Sequence, residues 1–352
     1  MKKQNIINLI KYHFEQNDIG FKKEAYEIAK DFERMGDLSI AHYIMALTSQ
    51  SNSFIPQGTE EVFLSNFLSP IDIEEDFAPL PLPNVILDDL AGIVNASRRL
   101  SELNKFLFFG PAGTGKTESA KQVAKVLDRK LYGVNYTQLI DSRLGQTAKN
   151  ISVLFSEINN CKYPHKVAIL FDEIDALALD RTNSNDVREM GRVTSTFLTQ
   201  LESLDPNVIL IATTNLFKHL DAALIRRFDA CVDFSRYTNE DLIDISEQIL
   251  KDYLSRFNNV ERNIKLFRKI LGLVQPLPYP GTLKNMIRTA LGFSDPSKPF
   301  DYLTRLYLKI TNQSELDLLI LKSQGFTLRE IEQLTGISKS NVGRKIKEVE
   351  NE

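Results

Sequence analysis

Apolar and polar positions recur at helical spacing through the first fifty residues. Ile6, Leu9 and Ile10 make one stripe, Ala25, Ile28 and Ala29 a second, and Ile40, Tyr43, Ile44 and Leu47 a third. Turn residues fall between them at Asn17-Asp18 and Gly36-Asp37. The spacing predicts a three-helix N-terminal unit over residues 1–50, compatible with a structural cap and with a partner-docking module alike. From residue 51 the pattern dissolves. Ile71-Asp72-Ile73-Glu74-Glu75-Asp76 is acidic and Pro79, Pro81 and Pro83 space out an extended stretch, so residues 51–83 read as a linker.

Between residues 84 and 236 the rhythm becomes strand, helix, strand, helix. The short apolar runs Phe106–Phe109, Val167–Phe171 and Val208–Ala212 read as buried parallel strands with amphipathic helices between them. Residues 237–295 turn wholly helical, with segments near 239–258, 263–274 and 281–291. A last helical unit runs over 296–352. The expected class is α/β: a parallel sheet core followed by a helical block, with small all-α units at both ends.

The gross numbers narrow the partners more than the fold. A length of 352 residues predicts two or three domains, and 43% hydrophobic with 25% charged residues is ordinary for a soluble globular chain. A net charge of -3 excludes a protein that clings to nucleic acid along its whole length, but leaves room for a local basic patch. The N-terminal pattern is broken by Lys11, His13 and Glu15, unlike a signal peptide, and no apolar stretch of about 18 residues spans a membrane. Cys161 and Cys231 lack CxxC spacing and a nearby histidine pair, so a cytoplasmic, reducing setting without disulfides or structural zinc is expected.

Gly110-Pro111-Ala112-Gly113-Thr114-Gly115-Lys116-Thr117 fits G-x-x-x-x-G-K-[ST], the loop that cradles phosphates with inward-turned backbone N–H groups. A strand enters it and a helix with Ala120, Val123, Ala124 and Leu127 on one face leaves it. That context suits ATP: Lys116 supplies charge to the β- and γ-phosphates, and the Thr117 hydroxyl ligates Mg²⁺. Ile169-Leu170-Phe171-Asp172-Glu173 ends an apolar strand in two carboxylates, Asp172 to hold the Mg²⁺ shell and Glu173 to orient and deprotonate a water. In Ile211-Ala212-Thr213-Thr214-Asn215, Asn215 is placed to bond the γ-phosphate or that water. Arg226-Arg227-Phe228-Asp229 follows, with an arginine to stabilise charge in phosphoryl transfer.

These four motifs, in this order over about residues 85–292, resemble the AAA+ ATPases. The resemblance implies that 110–117 is Walker A, 169–173 Walker B and Asn215 sensor 1. It makes Arg226 and Arg227 arginine fingers offered to a neighbouring subunit of a homo-oligomeric ring, usually a hexamer. Residues 237–295 match the lid, where Gly281-Thr282-Leu283-Lys284 stands at sensor 2 with Lys284 as the candidate. Two departures follow. The family's R-x-x-R-F-D is shortened, which favours Arg227 over Arg226. In Leu139-Ile140-Asp141-Ser142-Arg143-Leu144-Gly145, Arg143 replaces the pore aromatic, while Tyr132 and Tyr136 read as packing at strand ends. The layout, with Arg-Arg-Phe-Asp and Asn185-Asp186-Val187-Arg188-Glu189-Met190, is also similar to bacterial AAA ATPases that pair with a subtilisin-like serine protease.

In the tail, Thr327 caps one short helix, a glycine turn follows at Thr335-Gly336-Ile337, and Ser338 opens a second helix. This resembles a helix-turn-helix with core positions Ile331, Ile337, Val342 and Ile346 and with Lys339, Asn341, Arg344, Lys345 and Lys347 toward DNA. Glu332 departs from the small residue expected at the helix crossing, and a trihelical cap or protein-docking module is the alternative. Two functions therefore compete: an ATP-driven remodeller of a protein client, and an ATP switch bound to duplex DNA.

Overall fold

The computed structural model describes residues 65–73, 81–99, 102–143, 145–178, 184–256 and 260–350, with a few positions between 5 and 32. The chain packs as two units, Met1–Val62 and Phe63–Glu352. In the first, the described helical residues bury Ala25, Ile28 and Ala29, the second of the three stripes. The other two stripes lie outside the described residues.

The second unit is built on six strands: β1 (Leu68–Ile71), β2 (Lys105–Phe109), β3 (Lys130–Val134), β4 (Val167–Phe171), β5 (Ile209–Thr214) and β6 (Ala230–Asp233). Their order is β1-β3-β4-β5-β2-β6, parallel except for β1, which runs antiparallel to β3. The two central strands, β4 and β5, are buried at every residue. Their unbroken apolar runs therefore have a physical cause, because helices cover both faces.

Successive side chains alternate between those faces. Phe106, Phe108, Ala168 and Leu170 pack with Ile86, Leu90 and Ile93 of α1 (Asn84–Arg99) and with Ala120, Val123 and Ala124 of α2 (Lys116–Val126). On the other face Phe171 packs with two helices that follow the short α3 (Tyr136–Leu139) and flank α5 (Asp175–Ala178). Its ring meets Phe155 of α4 (Gln146–Asn159) and stands edge-on to Phe197 of α6 (Ser184–Glu202).

β1 departs from the linker expected over 51–83. Its four residues carry Pro70, whose missing N–H is tolerated only at a sheet edge. A strand this short leaves no readable alternation.

Beyond the short α7 (Ala222–Ile225) come α8 (Asn239–Leu254), α9 (Ile264–Leu271) and α10 (Pro280–Gly292), then α11 (Asp301–Thr311), α12 (Leu318–Ser323), α13 (Leu328–Thr335) and α14 (Lys339–Glu350). All seven share one hydrophobic core, which runs from Leu242 and Leu250 through Leu283, Leu303 and Tyr307 to Ile331, Val342 and Ile346. The expected units 237–295 and 296–352 therefore have no separate cores. Polar ties cross the same junction: Asn263 Nδ2 donates to Gln333 Oε1 (2.8 Å), and Lys269 Nζ to Glu330 (2.8 Å).

The shared core sets an expected outcome. Ile331→Ala should cost about 2–5 kcal/mol, as burial of a branched apolar side chain implies. Hydrogen-exchange protection should fall in α10 as well as in α13. Loss confined to α12–α14 would show two independent cores.

Candidate functional site

The loop between β2 and α2 is shaped by its glycines. Gly110 has φ +143° and donates its N–H to the Thr214 carbonyl at 3.3 Å, tying the loop to β5. A Cβ there would meet the Phe234 backbone at 3.0 Å. Gly115 opens α2 without a side-chain cap, so the first N–H groups of the helix remain available to an anion. Lys116 Nζ donates to the carbonyls of Gly110 (2.7 Å) and Pro111 (2.8 Å) and to Asn215 Oδ1 (2.7 Å). Burial pulls the lysine below its ordinary pKa, and the nearby carboxylates of Asp172, Glu173 and Asp175 oppose that shift.

The acids stand at the end of β4. Asp172 Oδ1 accepts from the hydroxyls of Thr117 (2.8 Å) and Thr213 (2.6 Å). Glu173 adopts a left-handed backbone with φ +57°, and its N–H donates to Thr213 Oγ1 at 2.8 Å. Its side chain is exposed and accepts from Asn215 Nδ2 at 3.2 Å. Asn215 thus bridges Lys116 and Glu173, accepting from one and donating to the other. Thr214 Oγ1 donates to Asp175 at 2.9 Å. The sequence motif points to Asn215, the residue just after β5, and to no other side chain of this strand end. Thr213 and Thr214 are hidden because threonine is a common strand residue, and the signal is their place at the tip of a strand flanked by one that enters the phosphate loop and one that ends in two acids.

Thr117 and Asp172 pair hard oxygen donors at the loop mouth, which fits Mg²⁺. Among the described residues no group of three or more His, Cys, Asp or Glu side chains could hold a metal ion. Such a cation would therefore take its remaining ligands from phosphate and water.

The helical block meets the loop through backbone rather than through a charge. The Gly281 N–H donates to the Gly113 carbonyl at 2.8 Å, and a Cβ on Gly281 would stand 2.8 Å from Gly113 Cα. Only glycine permits that approach. Tyr237 Oη donates to the Thr114 carbonyl at 2.7 Å, and burial pushes its phenol well above the ordinary range. Lys284, the expected sensor, is exposed one turn further along α10, and Gly281 makes the contact instead.

Arg226 is exposed, whereas Arg227 pairs with Glu202 of α6 at 2.5 Å. Asp229 accepts from the backbone N–H groups of Asn104 and Lys105, both at 2.8 Å, and so pins the start of β2. Arg143 is 85% exposed and Leu144 lies outside the described residues. Tyr132 is buried in β3, as expected. Tyr136 opens α3 with its hydroxyl buried and unbonded, and burial together with Asp172, Asp175 and Glu173 raises its pKa.

At the far end of the chain, Lys339, Asn341, Arg344, Lys345 and Lys347 are exposed along α14, while Val342 and Ile346 face the core. Glu332, out of place by sequence, accepts from the Lys339 N–H at 3.0 Å and so caps α14.

Comparison with known proteins agrees with this geometry. Residues 106–236 match the family model "ATPase family associated with various cellular activities (AAA)". The chain is 37% identical over 180 residues to the uncharacterized AAA family ATPase y4kL of Sinorhizobium fredii, covering 49% of this chain and 53% of that protein. It is 35% identical over 195 residues to the protein CdcH of Halobacterium salinarum, covering 48% of this chain and 25% of that one. It therefore spans about half the length of these curated relatives, or less. The crystal structure of the FIGL-1 AAA domain aligns over 74% of this chain and 90% of its own, with a TM-score of 0.53 at 19% identity, a likeness of fold. Residues 106–236, which hold the phosphate loop, the acid turn and Asn215, are thus similar in sequence to the AAA ATPase family.

Proposed function

We propose that the chain hydrolyses ATP with Mg²⁺ and couples turnover to remodelling of a protein client, or to regulation of a partner protein, within a homo-oligomeric ring, a hexamer by family resemblance. The observation that carries the reading is the hydrogen-bonded path Lys116–Asn215–Glu173, which joins a phosphate cradle to a water-activating acid. Glu173 takes a proton from the attacking water. The water oxygen bonds to the γ-phosphorus, the bond to the bridging oxygen breaks, and ADP leaves with that electron pair. Asn215 orients the water and Lys116 offsets charge on the phosphates. Thr117 and Asp172 would hold Mg²⁺, which when bound neutralises charge on the β- and γ-oxygens. Arg226 and Arg227 are assigned to the nucleotide of the neighbouring subunit.

The helical block 237–295 acts as the lid in this reading, with Lys284 at its nucleotide-facing end. The 1–50 unit serves to dock partners. A subtilisin-like serine protease is a candidate partner, supported by the similarity of Arg226-Arg227-Phe228-Asp229 and of the N-terminal layout. The residues 185–190 that share in that similarity have no described side chains. Composition supports a cytoplasmic setting, and among the described residues no helix is long and apolar enough to cross a membrane.

A second reading, binding of duplex DNA by the helix-turn-helix-like C-terminal unit, is favoured by the fate of its acids. Glu330 is engaged by Lys269, and Glu332 is spent on capping α14. What remains outward on α14 is Lys339, Arg344, Lys345 and Lys347, with Asn341 toward a base edge, beside the exposed acid Glu348, which pairs with Arg344 at 3.8 Å and opposes this reading.

Lys116→Ala should abolish nucleotide binding, whereas Glu173→Gln should keep it and lose turnover about 10²–10⁴-fold. Nucleotide affinity and steady-state hydrolysis check both, and near-normal turnover in Glu173→Gln removes the acid from its role. Mixing Arg227→Ala with Lys116→Ala subunits should restore part of the activity that each lacks alone. No recovery in rings shown to be mixed counts against action between subunits. For the second reading, the full chain with ATP should bind a random duplex at low salt. About three or four phosphate contacts imply a log–log salt slope near -3. No binding at low salt leaves a protein-docking module.

A further inference from the structure

The turn that carries Glu173 runs against the ordinary preference of its backbone. At φ +57° a residue with a Cβ is disfavoured, and such a conformation persists only where its surroundings hold it. Here one residue does most of the holding. Thr213, 1% exposed, donates its hydroxyl to Asp172 Oδ1 (2.6 Å) and accepts the Glu173 N–H on the same oxygen (2.8 Å). Its carbonyl accepts the Ile174 N–H at 2.9 Å. Three consecutive residues of the acid turn are thus bonded to a single position on the neighbouring strand.

A buried strand threonine needs only to satisfy its own hydroxyl, and a nearby carbonyl would do that. This one uses both its proton and a lone pair on the acid turn. The carboxylate it bonds also takes the Thr117 hydroxyl. The phosphate loop is anchored separately, through the Thr214 carbonyl and Gly110.

We propose that Thr213 is a positioning residue for hydrolysis: its hydroxyl fixes the Asp172 carboxylate and the main-chain turn that aims Glu173 at Asn215. The proposal rests on the ATPase reading above. Loss of that hydroxyl disturbs the metal-side acid and the water-side acid together and leaves the phosphate cradle intact.

The test uses the full chain with Thr213→Val, which keeps volume and β-branching, and Thr213→Ser, which keeps the hydroxyl. ADP affinity without metal, the Mg²⁺ concentration that half-saturates nucleotide binding, and kcat for ATP are measured for each. In Thr213→Val the metal-free ADP affinity should match wild type, the half-saturating Mg²⁺ should rise about tenfold and kcat should fall about tenfold or more. Thr213→Ser should stay close to wild type in all three. If the valine variant loses metal-free ADP binding, Thr213→Ala replaces it, since alanine lacks the hydroxyl and cannot crowd the turn. An unchanged half-saturating Mg²⁺ in the hydroxyl-free variant overturns the proposal, as does a serine variant impaired as far as valine. Absence of hydrolysis by the wild type would sink the ATPase reading alone, because the Mg²⁺ measurement still decides the role of Thr213.

Discussion

The site depends on where one strand lies. β5 sits between β2, which enters the phosphate loop, and β4, which ends in the acids, so its tip is within hydrogen-bond reach of both. Buried on both faces along its length, β5 can place polar side chains only at that tip. There Thr213, Thr214 and Asn215 bond Asp172, Asp175 and Glu173 in turn, and Asn215 also accepts from Lys116. The left-handed backbone of Glu173 costs on the order of 1–3 kcal/mol. Two hydrogen bonds from the acid turn to Thr213, at about 1 kcal/mol each, offset a cost of that size.

The same economy of contact joins the helical block to the loop. Gly113 and Gly281 touch backbone to backbone, with no side chain between them to yield. α10, which carries Gly281, also contributes Leu283, Ile287 and Leu291 to the core that extends to α14. One helix is therefore packed at its N-terminus against the phosphate loop and along its length against the rest of the block.

Legibility in the sequence followed the strength of each local signal. Strands buried at every residue announce themselves as apolar runs, and Gly110–Thr117 and Asp172-Glu173 have few other uses at the ends of such strands. β1 was not legible, because four residues with a proline carry no period. The role of Gly281 was obscured by Lys284, since a charge beside a phosphate site is the easier inference and close backbone approach leaves no mark but a glycine. The common core of α8–α14 escaped notice because helical periodicity reports that a face is buried and not what it is buried against. Glu332 reads as a misplaced acid in the sequence because its partner, the N–H at the start of α14, is seven residues away.

Adjacent residues of one motif also differ in their surroundings, as Arg226 and Arg227 show. Arg226 is exposed, while Arg227 is bonded to Glu202 of the same chain. That pair does not remove Arg227 from consideration as a finger. Its partners are 38% and 54% exposed, so water competes for both charges and breaking the pair costs no more than about 1 kcal/mol. An arginine that meets transition-state charge in phosphoryl transfer is worth about 10³–10⁵ in rate, several times that cost. The Glu202 contact is therefore weak enough to exchange for a phosphate and is compatible with the proposed finger role of Arg227.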